Sequence, residues 1–445
     1  MRLFSRQIDS LPDDQITFGY DLFSRNVFGN NLKQLVLNVE DPMVILLDAP
    51  WGSGKTTFLK MWMNNLKTSD INCIYFDAFE NDYCGDAFSA LAGEIVSAID
   101  NDKKELKNSI IDCASDVAMA LIKSGTRYAI KKTSLGILDN EAIDEISDSI
   151  STFSDESSSI LASFVKERIK NRNKDKLSFE NFRTILKSLP DKIYGENSKK
   201  PIVIIIDELD RCRPYFSMEI IECIKHFFSI DRVHFVLSMH TQQLESSIGK
   251  IYGIHEPQRY LEKFYNIKVS FPEDERPYDS NISIYLKSLM KDMPDDSEGG
   301  LHSKHVMSDI DDMSRLHNLS FRTVERIATN LALLYASTTG QFIRITPLVS
   351  VLVTMRTIAP QLYKKASQKK LKYDEVESFA KFYQWTNANR YDPDNAANWW
   401  KFCLMQNPPE ETADYGRHIV KYSIHRENIV PAICSFIDQL RLLNI

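Results

Sequence analysis

Residues 43 to 56, MVILLDAPWGSGKT, constrain this chain more than any other stretch. Met43 to Asp48 is continuously apolar, too short for a buried helix, and bounded by Pro42 and the Ala49-Pro50 pair, so it reads as a parallel strand buried on both faces. Thr56 to Leu66 reads as a helix. A glycine-bearing turn between such a strand and such a helix is the context that a phosphate-binding loop requires. Gly52 and Gly54 let the backbone wind tightly and aim its N–H groups at phosphate oxygens, while the helix N-terminus adds partial positive charge. Trp51 and Ser53 complete the loop, Lys55 has the reach for the β- and γ-phosphates, the Thr56 hydroxyl suits Mg²⁺, and Thr57 suits the α-phosphate. The competing explanation is an ordinary strand-to-helix turn that carries Gly-Lys-Thr by coincidence. Ala49 stands where the strict loop pattern begins with Gly, which requires a negative φ there.

Similar apolar runs recur at Asn72 to Asp77, Pro201 to Ile206, Val233 to Leu237 and Asn266 to Phe271, with helical patterns between them. Strands alternating with helices imply an α/β domain with a parallel, helix-covered sheet. The run IVIIIDELD, Ile202 to Asp210, delivers Asp207 to the carboxyl end of its strand, where a carboxylate suits Mg²⁺, usually through a water. Glu208 beside it is placed to orient or deprotonate an attacking water, and such a pair favours a hydrolase over a nucleoside kinase. A solvated loop at a strand end is the plainer alternative. Asp210 and Arg211 either orient these groups or cap and pair at the start of the next helix. The guanine-reading Asn-Lys-x-Asp is absent, since Asn173-Lys174-Asp175 runs into Lys176, so ATP is preferred over GTP.

At 445 residues the chain has room for more than one core. The expected division is residues 1–101, an N-terminal amphipathic helix (24–39) and the first half of the sheet domain; 102–200, a long helical insertion; 201–274, the second half; and 275–445, a helical C-terminal region. A serine-rich segment, Ser147 to Ser159, reads as a linker, and Pro294 to Gly300 as a loop. A net charge of −7 gives no global field toward nucleic acid or acidic lipid. Seven cysteines without a C-x-x-C pair argue against a disulfide framework or structural zinc, and fit a reducing cytoplasm. Met1 to Ser10 lack the apolar core of a secretory signal, and no stretch approaches the roughly 18 to 20 apolar residues of a membrane span.

On these residues the chain resembles the KAP family of P-loop NTPases, related to the STAND and AAA+ ATPases. Trp51 to Thr56 match the family's W-G-x-G-K-[ST], and Asp207 to Cys212 its D-[DE]-L-D-R-C. Tyr75 to Glu80 are similar to its strand ending in Asn and Trp, with Asp77 and Phe79 in those places; Tyr260 to Phe264 are similar to its Y-L-E-K-h run. The likeness covers about residues 15 to 335. It implies that Arg322 or Arg326, in a segment similar to the family's R-x-h-x-R helix, contacts the γ-phosphate as a sensor. His240 stands where the family often has Asp, which leaves Ser238 and His240 both open as sensors on the fourth strand.

The resemblance implies an ATP- and Mg²⁺-dependent conformational switch, with a protein partner or self-assembly, in bacterial or mobile-element defence against phage. Two other classes stay open. A nucleic-acid-dependent motor or loader would use the basic segment Lys166 to Lys176 or the lysines 364, 365, 369, 370 and 372, although solvated helix faces explain these better. A scaffold would bind nucleotide without turnover. Trp385, Trp399 and Trp400 suit core or interface packing better than base stacking.

Overall fold

The computed structural model describes residues 11–84, 86–100, 102–123, 177–272, 281–290, 303–337, 345–385, 393–419 and 424–439. The segments 147–159, 166–176 and 294–300 singled out above lie outside them. The chain forms two compact units. One, the sheet unit, comprises Val27–Ala49 and Trp62–Phe271; the other, the helical unit, comprises Met1–Asn26, Pro50–Met61 and Pro272–Ile445.

The sheet unit is built on five parallel strands, β1 (Met43–Asp48), β2 (Asn72–Asp77), β3 (Ile202–Asp207), β4 (Val233–Met239) and β5 (Ile267–Val269), in the order β2-β3-β4-β1-β5. Every residue of β3 and β4 is buried, which explains why both are apolar without alternation. β4 runs two residues beyond the apolar run, so Ser238 and Met239 lie in the strand and His240 caps the helix after it. β5 is a three-residue edge, shorter than its apolar run. The strand register aligns Asp77 with Asp207 and Asp48 with Met239, so the carboxyl ends of β1 to β4 finish level and collect the acidic residues on one rim.

Helices α1 (Asn26–Asn38), α2 (Lys55–Lys67), α3 (Ala87–Ser97) and α4 (Lys104–Lys123) lie between or before the first strands, and a helix over 177–187 precedes β3. α1 buries Gly29, Leu32 and Val36. Its Gly29 carbonyl accepts 2.8 Å from the Nε1 of Trp62, a fully buried side chain of α2. The described ends of the long insertion join the same core as the sheet: Phe182 packs edge-on against Phe88 of α3 at 5.1 Å and against Phe228 at 5.6 Å. Among the described residues no helix is long and apolar enough to cross a membrane.

The helical unit has its own core around Thr346–Ile358, a helix in which Thr346 to Met355 are all buried. Trp400 is wholly buried and donates 3.1 Å to the Pro347 carbonyl, Trp385 donates 2.8 Å to the Ala380 carbonyl, and Trp399 packs on Tyr415. All three tryptophans therefore serve packing. One polar chain crosses this core: Asp309 lies 2.7 Å from the Ser350 hydroxyl, which is 2.8 Å from the Thr346 carbonyl. Ser350 has one proton to give, so both contacts are satisfied when Asp309 is protonated and donates to the hydroxyl. Burial, with Asp312 adding, raises the Asp309 carboxyl from 3.8 to about 7.

An acid whose folded pKa is raised destabilises the fold as pH rises from its ordinary range to the raised value, by up to about 1.4 kcal/mol per unit. Asp309→Asn, which mimics the protonated acid, is expected to raise the melting temperature, and by more at about pH 8 than at about pH 5.5. Equal gains at both pH values would contradict the account.

Candidate functional site

The loop 50–54 and the start of α2 belong to the helical unit. Ser53 N–H donates 3.3 Å to the Pro50 carbonyl, and Gly52 and Gly54 take φ of +75° and +84°, in the left-handed region that favours glycine. Ala49 is outside that region, as its side chain requires. α2 then starts at Lys55, with Phe58 N–H bonded to the Gly54 carbonyl at 3.0 Å. Lys55 is nearly buried, and its Nζ folds back to the Pro50 carbonyl at 3.3 Å. Trp51 is 42% exposed. The Ser53 hydroxyl is buried and has no hydrogen bond among the described residues.

Two segments of the same unit close on this loop. A methyl group on Gly52 would sit 2.9 Å from Ser320 Oγ and 3.0 Å from Arg322 Cβ, so the start of the helix Phe321–Ser337 abuts the loop. Arg322 is the arginine beside the loop; Arg326 lies one turn farther along that helix. From the N-terminal side, Arg25 donates from Nη1 to the Ser53 carbonyl at 3.0 Å. Neither Arg25 nor Ser320 was legible in the sequence. No spacing rule ties an arginine to a carbonyl 28 residues later.

In the sheet unit, Asp77, Asp207, Glu208 and Asp210 are each held by a specific donor. Asp207 is 1% exposed; its Oδ1 accepts from Glu208 N–H at 2.9 Å and its Oδ2 from the Tyr75 hydroxyl at 3.1 Å. Burial raises the Tyr75 phenol well above its ordinary pKa, and Asp207 adds to this, so the phenol stays a donor. Asp77 accepts from Glu80 N–H at 2.9 Å and caps the turn that follows β2. Glu208 has φ +60°, an uncommon backbone for a residue with a side chain, and ends 2.5 Å from the Arg211 guanidinium. Burial raises its carboxyl pKa; Arg211 opposes that, while Asp77, Asp207 and Asp210 reinforce it.

Asp210 Oδ2 accepts 3.0 Å from the backbone N–H of His240 and so ties the tip after β3 to the start of the helix after β4. Ser238, in β4 opposite Leu47 of β1, is fully buried with its hydroxyl unbonded among the described residues. Extending the β3–β4 register by one residue places it opposite Asp207. Asp48, unremarked in the sequence, accepts from Thr241 N–H at 2.9 Å and pairs with Lys268 at 2.9 Å.

A model of the KAP family P-loop domain matches residues 25–338. The solved structure of the Aeropyrum pernix ORC2 protein (ADP form) is 12% identical, with 94% of each chain covered and a TM-score of 0.33. No curated protein matches the chain.

Gly52→Ala would combine a left-handed backbone with a methyl group pressed on Ser320 and Arg322. It should destabilise the fold by about 1–3 kcal/mol in denaturant unfolding. A variant as stable as the wild type would show that the helix start yields freely.

Proposed function

The chain belongs to the KAP family of P-loop NTPases, and from that premise we propose that it binds ATP with Mg²⁺ and hydrolyses it as a conformational switch. The observation that carries the reading is the wound loop 50–54, with Gly52 and Gly54 at positive φ and Lys55 opening the helix behind it. Such a turn exposes consecutive N–H donors at a helix N-terminus, where the backbone dipole favours an anion. Lys55 exchanges the Pro50 carbonyl for phosphate oxygens. The buried hydroxyl of Ser53, without a hydrogen bond among the described residues, is a further donor in this loop.

Mg²⁺ takes oxygen ligands and keeps several waters. The Thr56 hydroxyl and the buried Asp207 carboxylate fit those demands, Asp207 with one oxygen already oriented by Tyr75. The bound ion would neutralise phosphate charge. Glu208 orients and deprotonates the attacking water, its carboxyl pKa raised by burial. Asp210 acts indirectly, by holding His240 N–H and with it the end of β4, where Ser238, its hydroxyl without a hydrogen bond among the described residues, is the better sensor candidate. Arg322 is the γ-phosphate sensor rather than Arg326, because its Cβ adjoins Gly52. Thr57 and Trp51 complete the nucleotide contacts. ATP rather than GTP follows from the absent guanine-reading motif.

The reading extends to a switch in defence against phage, in the cytoplasm, acting on a protein partner or on further copies of itself, and what supports it is the family membership alone. Of the lysines 364, 365, 369, 370 and 372 that a nucleic-acid motor would use, Lys365 is paired with Glu375.

Calorimetry should show Mg·ATP binding that Lys55→Ala abolishes. Glu208→Gln should keep binding and lose at least about 100-fold in turnover. The reading falls if folded wild-type protein takes up no Mg·ATP, or if Glu208→Gln turns over normally. Arg211→Ala should move the acid limb of the kcat/KM profile to higher pH, since the guanidinium is what lowers the Glu208 pKa against burial. An unmoved or lowered limb would remove Glu208 as the base.

A further inference from the structure

We propose that Arg25 is a positioning residue for the triphosphate: by holding the Ser53 carbonyl it fixes the Ser53–Gly54 peptide so that the Gly54 N–H faces the bound phosphate. The inference rests on the reading of the loop as a phosphate site. A trans peptide is planar, and its C=O and N–H point in opposite directions. A donor that captures the carbonyl on one side therefore sets the direction of the N–H on the other. The Arg25 Nη1 lies 3.0 Å from the Ser53 oxygen and 3.3 Å from where a Gly54 side chain would begin, so the guanidinium flanks this one peptide. Gly54, at φ +84° and without a Cβ, has little intrinsic resistance to rotation of that peptide, so the orientation must be imposed from outside.

The guanidinium is itself fixed. Its Cζ lies 5.0 Å from the ring centroid of Phe23, and Phe23 stacks on Phe321 at 4.6 Å with ring planes within 4°. Tyr285 packs on Phe321 at 5.1 Å. Phe321 immediately precedes Arg322, whose Cβ adjoins Gly52. One aromatic stack thus supports the cation at Gly54 and the helix start at Gly52, the two positive-φ residues of the loop. Burial lowers the Arg25 pKa to about 10, with Asp21 opposing, so the group remains a cation at neutral pH. A desolvated cation beside the loop also favours an anion there.

The test uses the full chain with Mg·ATP and with inorganic tripolyphosphate, which has phosphates but no base or ribose. Arg25→Gln should weaken both ligands by the same factor, about tenfold or more, while melting near the wild-type temperature. Arg25→Lys, which keeps a charged donor, should recover part of the loss, and Phe23→Leu should show a smaller loss of the same kind. With ¹⁵N-glycine labelling, which gives 15 glycine signals in this chain, the Gly54 amide should shift on adding tripolyphosphate to the wild type and lose that shift in Arg25→Gln.

Binding by Arg25→Gln within twofold of wild type, a loss confined to ATP, or a stable Arg25→Lys no better than Arg25→Gln would overturn the role. If Arg25→Gln does not fold, undiminished tripolyphosphate binding by Phe23→Leu overturns it instead. Failure of the wild type to bind either ligand would remove the phosphate-site reading itself, a different result.

Discussion

The arrangement depends on the turn between β1 and α2, which must present backbone N–H groups to one side while its carbonyls find partners on the other. Two positive φ values make that turn possible, and only glycine adopts them without strain. The space around it is then filled to contact. Ser320 and Arg322 lie where a side chain on Gly52 would go, and Arg25 takes a carbonyl. The loop's shape is therefore maintained by residues far from it in sequence, anchored through the Phe23–Phe321 stack.

The acidic tip of the sheet unit solves a different problem, that of holding Asp77, Asp207, Glu208 and Asp210 close together without mutual repulsion opening the strand ends. Each carboxylate is matched to a donor of its own: Glu80 N–H, the Tyr75 hydroxyl, the Arg211 guanidinium and His240 N–H. Three of the four donors are neutral, so the negative charge is oriented more than cancelled. The left-handed backbone of Glu208 is the local strain that turns its side chain back toward Arg211.

The two cores differ in how they treat polar groups. In the sheet unit the central strands β3 and β4 are apolar apart from Asp207, Ser238 and His234, which reaches the Val39 carbonyl at 3.0 Å. In the helical unit, Ser350 and Thr354 bond to carbonyls one turn back, and Asp309 joins that chain as a buried acid. Burial of this carboxyl makes the helical core sensitive to pH.

Much of this was legible in the residues. The continuous apolar runs named all five strands, because a strand buried on both faces leaves no room for alternation, and the Gly-x-Gly-Lys-Thr turn announced a phosphate loop, because few other uses require glycines at that spacing. Strand ends were less legible, since Ser238 and Met239 extend β4 through backbone pairing that hydropathy does not record. What only the tertiary structure decided is which distant residues serve the loop and the tip. The approach of Arg25, Ser320 and Arg322 to the loop depends on where separate segments come to rest, and so does the bond from Tyr75 to Asp207 across neighbouring strands. Local sequence fixes backbone preference and periodicity; contacts between residues far apart in the chain are set by packing, which no single window of sequence contains.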